Sequence, residues 1–434
     1  MTDKPWAGRK IHLIGIGGAG MSGWARVAAQ LGAEVSGSDQ AESAALAKLR
    51  DSGITVFVGH SAANVPPGAD VFHSSAVPES NPERNPGGQT APSRPRADLL
   101  RELTSMAKVI AIAGAHGKTT TTSMAAHTLL AAGVEPGYLI GGALTTTGEN
   151  ADWGAGEWLV VEADESDRSM LELETDVAVV LNIELDHHAT YGSLAALTEV
   201  FDQFRAQAPV RVVAPELARE GDIVFDPGGV TLTEGGSRFD WRGHEVVLTV
   251  PGEHNARNAA AALEACALTG ADEAVLAGSL SSFGGAGRRF QRLGLTARGA
   301  LVVDDYAHHP TEVAATVAAA RSLGARRVVA FFQPHLYSRT QELSRRFGEA
   351  LAGADSVVVT GIYEARERAE DFPGVSGLQV AEAAADAGGG TPVAWIPDLT
   401  DAASYVASIA GESDVILAMG AGNIDGQARR IAGA

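Results

Sequence analysis

Val109-Ile-Ala-Ile-Ala-Gly-Ala-His-Gly-Lys-Thr-Thr-Thr-Thr122 decides the reading of this chain. The apolar, β-branched run from Val109 to Ala113 predicts a buried strand, Gly114 and Gly117 break it, and Thr119 to Ala132 predicts a helix. Strand, glycine loop and helix N-terminus together direct free backbone N–H groups at one point, with the positive end of the helix dipole behind them. Lys118 adds a mobile positive charge and Thr119 a hydroxyl suited to magnesium. The pattern is the short form G-x-x-G-K-T, with Ile112 where a longer loop has its first glycine. A polyphosphate is therefore expected over Gly114, Ala115, His116, Gly117, Lys118, Thr119 and Thr120.

Two later stretches belong beside this loop. Trp158-Leu-Val-Val-Glu-Ala-Asp-Glu-Ser-Asp167 is a hydrophobic strand running into four acids, and Val177 to His188 is another, running into acids and two histidines. In an open parallel sheet the ligand site lies outside the carboxyl ends of the strands. Lys118-Thr119, Glu162 and His187 are thus expected to converge, and the oxygen and imidazole donors of Thr119, Glu162 and His187 to hold a cation beside the phosphates.

Composition bounds the rest. A length of 434 residues suggests about three domains, and no apolar run approaches the ~20 residues of a membrane span. The formal charge of −20 argues against a general nucleic-acid binder, leaving room only for local basic sites. Cys266 is the single cysteine, which excludes an intrachain disulfide, and its alanine-rich setting predicts a buried small hydrophobe. Met1 to Lys10 carries no signal-peptide core, so the protein is expected in the cytoplasm. The five lysines stop at Lys118, so arginine supplies all further fixed positive charge.

Upstream, Ile11-His-Leu-Ile-Gly-Ile-Gly-Gly-Ala-Gly20 is a strand entering a glycine turn, with a helix from Met21 to Leu31 and a second strand from Ala33 to Gly37. Gly15, Gly17 and Gly20 satisfy G-x-G-x-x-G, and Asp39 stands where a dinucleotide fold places its ribose acid. The motif points to a nucleotide or dinucleotide without saying which. Strands at Thr55 to Val58 and Val71 to Ser74 complete a small α/β unit near residue 105, and Asn81 to Arg96 is expected as an exposed, disordered loop. Residues 210 to 250 predict a side sheet of the central domain. Gly252 to Asn258 opens an alanine-rich helix, and Phe283 to Gly287 is a hinge. Strands at Ala300 to Val303, Arg327 to Phe331, Val357 to Thr360 and Val415 to Leu417 then repeat the alternation, with Tyr, His and Arg after successive strands describing a second, substrate site.

Taken together, GIGGAGMSG at 15–23, GAHGKTTTT at 114–122, EADESD at 162–167, DHH at 186–188, GEHNARN at 252–258, GAGRRF at 285–290, DDYAHHPTE at 304–312 and FQPHLYSRT at 332–340 resemble the Mur ligases over nearly the whole chain. The resemblance implies an α/β fold of three domains: a Rossmann-like UDP-sugar domain (1–105), a central P-loop ATPase-type domain (106–285) and a C-terminal Rossmann-like amino-acid domain (286–434). It implies the branch that joins L-alanine to the carboxylate of UDP-N-acetylmuramate, using ATP and two magnesium ions. The murein tripeptide ligases are the nearest alternative within the family. An NAD-dependent oxidoreductase would leave GAHGKTT and GEHNARN unexplained, and a non-catalytic nucleotide-binding protein has no need of Glu162, His187 and Arg289 together.

By the same resemblance Gly15, Gly17, Gly18, Gly20, Ser22, Asp39 and Ser74 face the UDP-sugar. Lys118 and the loop amides hold the ATP phosphates, Thr119 and Glu162 one magnesium, and His187 a second. Asn258 meets adenine, with His254 and Asn255 nearby; Asp305 meets the ribose and Arg289 reaches the phosphates. Tyr306, His308 and Arg339 orient the amino acid. Lys118, His187, Arg289 and His308 are the expected catalytic set. Leu336 stands where the family commonly has a second arginine, so the amino-acid carboxylate is expected to rest on Arg339 with His308.

Overall fold

The computed structural model describes residues 4–88, 90–186 and 190–433, which divide into two compact units, 1–226 with 261–279 and 227–260 with 280–434. His187 therefore lies outside the described residues. The fold is α/β, with four sheets among the described residues. Among the described residues no helix is long and apolar enough to cross a membrane.

The first unit holds two of the sheets. One is all parallel, in the order Thr55–Val58, Glu34–Asp39, Lys10–Ile14, Asp70–His73, Arg94–Pro95. Its connections reverse direction between Lys10–Ile14 and Asp70–His73, which opens a crevice at the ends of those two strands. Gly15 and Ser74 follow these strands directly. The other sheet runs Ile223–Val224, Val210–Val213, Val177–Val180, Lys108–Ala113, Trp158–Glu162, Gly137–Leu139, Ala151–Asp152, and only the last pair is antiparallel. Its central strands are apolar without alternation because both faces are covered, and Val109 to Ala113 are fully buried.

The second unit carries the sheet Gln291–Leu295, Leu301–Asp305, Asp414–Met419, Arg327–Phe332, Ser356–Val359, Val393–Trp395, antiparallel only at its first pair. Alternate residues of one strand feed opposite cores. Val328, Ala330 and Phe332 pack with Val313 and Phe347 from the helices Pro310–Arg321 and Tyr337–Leu351, while Val329 and Phe331 pack with Val406 and Ile424.

Three expectations are corrected. Gly20 lies inside the first turn of the helix Ala19–Gln30, not in the loop before it. The span 210–250 is not one side sheet: Val210–Val213 and Ile223–Val224 extend the central sheet, whereas Gly228–Thr233, Gly236–Trp241 and His244–Leu248 form a separate antiparallel sheet grouped with the second unit. The stretch 81–96 is not simply an exposed loop. Asn81 and Glu83 are buried, Arg94–Pro95 joins the first sheet, and a helix runs over Arg96–Thr104.

Glu83 is the reason. Its carboxylate accepts hydrogen bonds from the Ser61 N–H (2.9 Å), Asn64 Nδ2 (2.7 Å) and the Ser38 hydroxyl, with His12 Nε2 3.5 Å away. Burial favours the neutral acid, yet these partners outweigh it and hold the Glu83 carboxyl down at about 2. Composition rates such a Pro/Asn/Gly-rich stretch as solvated, because the residues that capture Glu83 lie far away in the chain. Cys266 behaves as expected, buried with its thiol 3.6 Å from the Ala125 carbonyl.

Candidate functional site

Gly117 adopts a left-handed backbone (φ 86°) and caps the helix Lys118–Ala131, so the chain turns from strand to helix in four residues with the helix N-terminus open. Thr119 Oγ1 donates to Glu162 Oε1 at 3.0 Å, bringing the loop and the end of the Trp158–Glu162 strand together as their spacing predicted. Glu162 Oε2 accepts from the Gly141 N–H at 2.7 Å, which fixes the carboxylate's orientation.

Lys118 is less mobile than expected. Its Nζ donates to the Gly114 carbonyl (2.6 Å) and to Glu165 (2.9 Å), and Glu165 is almost wholly buried. Burial disfavours the ammonium, but the pull of Glu165 and Asp164 and the hydrogen bond to Glu165 raise its pKa above the ordinary lysine value. The lysine is thus charged throughout the physiological range. Asn182, just beyond the Val177–Val180 strand, accepts from the His116 N–H (2.9 Å) and donates to its carbonyl (3.0 Å), while His116 Nε2 sits 2.9 Å from Glu184. Asn182, Glu165 and Glu184 were not singled out from sequence. Their only signal was position, directly after two buried strands. Thr120 follows in the first helical turn, half-buried.

At the first sheet's crevice, Gly15 takes φ +79°, and a side chain there would begin 3.2 Å from Ser74 Cβ. The Gly17 N–H donates to Asp39 Oδ2 at 2.9 Å, so Asp39 ties the end of the second strand to the glycine turn. Gly18 caps the helix that contains Gly20 and Ser22, and the Ser22 N–H returns to the Gly18 carbonyl. The seven residues expected at the UDP-sugar are thereby gathered around one turn.

The second unit assembles the remaining candidates. Asp305, at the end of its strand, accepts from the Phe290 N–H (2.7 Å) and the Ala307 N–H (2.8 Å), and burial lifts its carboxyl to about 6 despite nearby Arg289. Arg288 and Arg289 each place a guanidinium 5.0 Å from the Tyr306 ring centre, and Arg289 lies 3.9 Å from Glu312. Glu312 also receives the His308 N–H, and the His308 ring packs edge-on against Tyr306 and His335. Arg339 is buried with Nη1 3.0 Å from His335 Nδ1. Tyr306, His308 and Arg339 are therefore linked through His335, which sequence reading had passed over inside FQPHLYSRT. Asn255 and Asn258 bond each other at 3.2 Å in the first turns of the helix Glu253–Ala267. Beside them His254 is pushed down to about 4 by burial, so it is neutral at pH 7.

Two family models match, "Mur ligase family, catalytic domain" over residues 10–108 and "Mur ligase, glutamate ligase domain" over 288–422. The UDP-N-acetylmuramate–L-alanine ligase of Acidithiobacillus ferrooxidans is 45% identical, covering 96% of both chains. The chain belongs to the Mur ligase family. The enzyme of the same name from Rubrobacter xylanophilus is 41% identical over 96% of this chain and 97% of its own. Among solved structures, the UDP-N-acetylmuramate-alanine ligase MurC of Thermotoga maritima superposes with a TM-score of 0.83 at 28% identity, covering 97% of this chain and 98% of that one.

Within this Mur ligase Leu336 carries backbone strain. Leu336 has φ 68° and ψ 135°, a region nearly reserved for glycine, and it is buried at the start of the helix that bears Arg339. Leu336→Gly is expected to melt above Leu336→Ala by the equivalent of about 1 kcal/mol, because both lose the leucine but only glycine relieves the strain. The opposite order in thermal unfolding would show the backbone to be unstrained.

Proposed function

We propose that this protein uses ATP to join L-alanine to the carboxylate of UDP-N-acetylmuramate, giving ADP, phosphate and UDP-N-acetylmuramoyl-L-alanine for peptidoglycan precursor synthesis. The observation that carries the chemistry is the Thr119–Glu162 pair at 3.0 Å beside Lys118, at the open end of a helix. Extensive identity to alanine ligases supports the choice of substrates. We assign residues 1–105 to the UDP-sugar, 106–285 to ATP and 286–434 to the amino acid, and the use of ATP and a UDP-sugar assigns the reaction to the cytoplasm.

A carboxylate is a poor electrophile, so the γ-phosphoryl group of ATP passes to the muramyl carboxylate. The alanine amine then attacks the acyl carbonyl, loses its proton, and phosphate departs. The first step brings anions together and needs concentrated positive charge, which Lys118, the loop amides and Arg289 supply. Thr119 and Glu162 offer hard oxygen donors of the kind magnesium takes, and they fit that ion. When bound, it neutralises phosphate charge. His187 is assigned to a second magnesium by its motif. Asn255, Asn258 and His254 are assigned to adenine, Asp305 to ribose, and Tyr306, His308 and Arg339 to alanine. The neutral state of His254 suits an uncharged base.

Phosphate release from ATP with magnesium and UDP-N-acetylmuramate tests the reading directly. Release that requires L-alanine is the expected result. Release only with L-Ala-γ-D-Glu-meso-diaminopimelate would move the assignment to the tripeptide ligases, and none with any amine from folded protein would remove the ligase reading.

A further inference from the structure

Arg96 opens the helix Arg96–Thr104, and neither the glycine turn nor the phosphate loop contains it. Its guanidinium nevertheless lies between features of both. Nε donates to Asp167 at 2.8 Å, and Nη2 lies 3.1 Å from Asp164 and 2.6 Å from Asp167. Those acids sit in the same six residues as Glu162 and Glu165, the partners of Thr119 and Lys118. On its other side the guanidinium stands 5.5 Å from the Trp24 ring centre, and Nη1 is 3.6 Å from the point where a side chain at Gly20 would begin. Among the described residues Nη1 has no hydrogen-bond acceptor. A mostly buried cation thus keeps two nitrogens on acids beside the phosphate loop and presents the third to the open start of the Ala19–Gln30 helix.

We propose that Arg96 binds an anionic oxygen of the sugar nucleotide through Nη1, while Asp164 and Asp167 hold the guanidinium in position. The inference rests on the assignment of the UDP-sugar to the glycine turn. Two groups of that substrate share the required chemistry, the diphosphate and the lactyl carboxylate that is to be phosphorylated. Arginine suits either, because its planar fork can keep the resident acids and still take a new acceptor. Gly20 places no side chain beside that approach, where a Cβ would stand 3.6 Å from Nη1. The acids also compensate the buried charge: Arg96 lies above the ordinary arginine value because their attraction exceeds the cost of burial.

Equilibrium binding of UDP-N-acetylmuramate and of UDP-N-acetylglucosamine, which lacks the lactyl carboxylate, tests this on the full-length protein. Arg96→Ala is expected to weaken UDP-N-acetylmuramate at least ~10-fold, the scale of a lost charge-assisted hydrogen bond, with Arg96→Lys partly restoring it. Affinity for a non-hydrolysable ATP analogue should stay within about two-fold. Equal losses for both sugar nucleotides identify the diphosphate as the bound group, and a loss confined to UDP-N-acetylmuramate identifies the carboxylate. Asp167→Asn separates binding from simple bracing, since it keeps an acceptor for the Ser169 N–H but loosens Arg96. It should weaken binding by less than Arg96→Ala does, because Asp164 still holds the guanidinium. If Asp167→Asn weakens binding as much as Arg96→Ala, the arginine is only a brace and the proposal fails. Wild-type binding that survives Arg96→Ala also overturns it, whereas a wild-type protein that binds neither nucleotide overturns the functional reading and this inference together.

Discussion

Lys118→Ala is expected to lower turnover at least ~10²-fold, the scale for removing one preorganised donor from a developing negative charge. The ammonium is bound to the Gly114 carbonyl and Glu165, so the lysine lies at the loop and is not recruited from solvent. Phosphate oxygens then compete with contacts less than 3 Å long, and the loss appears in turnover as well as in ATP affinity. The substitution also takes from Glu165, which is nearly inaccessible, its 2.9 Å contact with the ammonium. Lys118→Ala read alone would therefore mix lost catalysis with lost stability. Glu165→Gln together with Lys118→Ala removes both charges and recovers stability but not turnover. Full phosphate release from the single variant would sink the assignment of the loop to ATP.

The second large effect is on stability. Glu83→Ala should cost about 3 kcal/mol, since it removes a buried acceptor of the Ser61 N–H, Asn64 Nδ2 and the Ser38 hydroxyl. The wild-type contribution depends on pH with a definite sign. The folded carboxyl lies at about 2, below the ordinary 4.5, so its stabilisation is fully present above about 4.5 and fades as pH falls toward 2. At neutral pH that difference is worth about 3 kcal/mol. Wild type and Glu83→Ala should thus converge in denaturant resistance between pH 4.5 and 2. Hydrogen exchange over residues 10–73 will show whether the loss is confined to the first sheet, as a multidomain protein allows. A difference that is constant across this range would mean that the fold does not hold the Glu83 carboxyl below its ordinary value.

The acid-rich turn at 162–167 unites much of this behaviour. Glu162 meets Thr119, Glu165 meets Lys118, and Asp164 and Asp167 meet Arg96. In a chain of charge −20, cations at the site are scarce, and each of these two is held by an acid from one short segment. Such pairing keeps Lys118 and Arg96 ionised despite burial, so positive charge is ready before an anionic ligand arrives.

The residues alone determined the sheet-and-helix alternation, the glycine turns and the acids at strand ends. These follow from local rules: strand runs, breakers and helix starts lie within a dozen residues of one another, and strand ends in a parallel sheet gather at one edge. Gly117, Lys118, Thr119 and Glu162 were legible for that reason. So was the route from Gly15 to Asp39, although the chain signals did not reveal that Asp39 caps Gly17. Tertiary structure alone decided what depends on partners far apart in sequence. Glu83 became a buried hub through Ser38, Ser61 and Asn64, and Arg96 became a link through Asp164 and Asp167, 68 and 71 residues away. The span 228–248 joined the second unit although the strands just before it extend the central sheet. A charged side chain in a polar stretch reads as solvated until the fold removes water from it, and only packing determines where that happens.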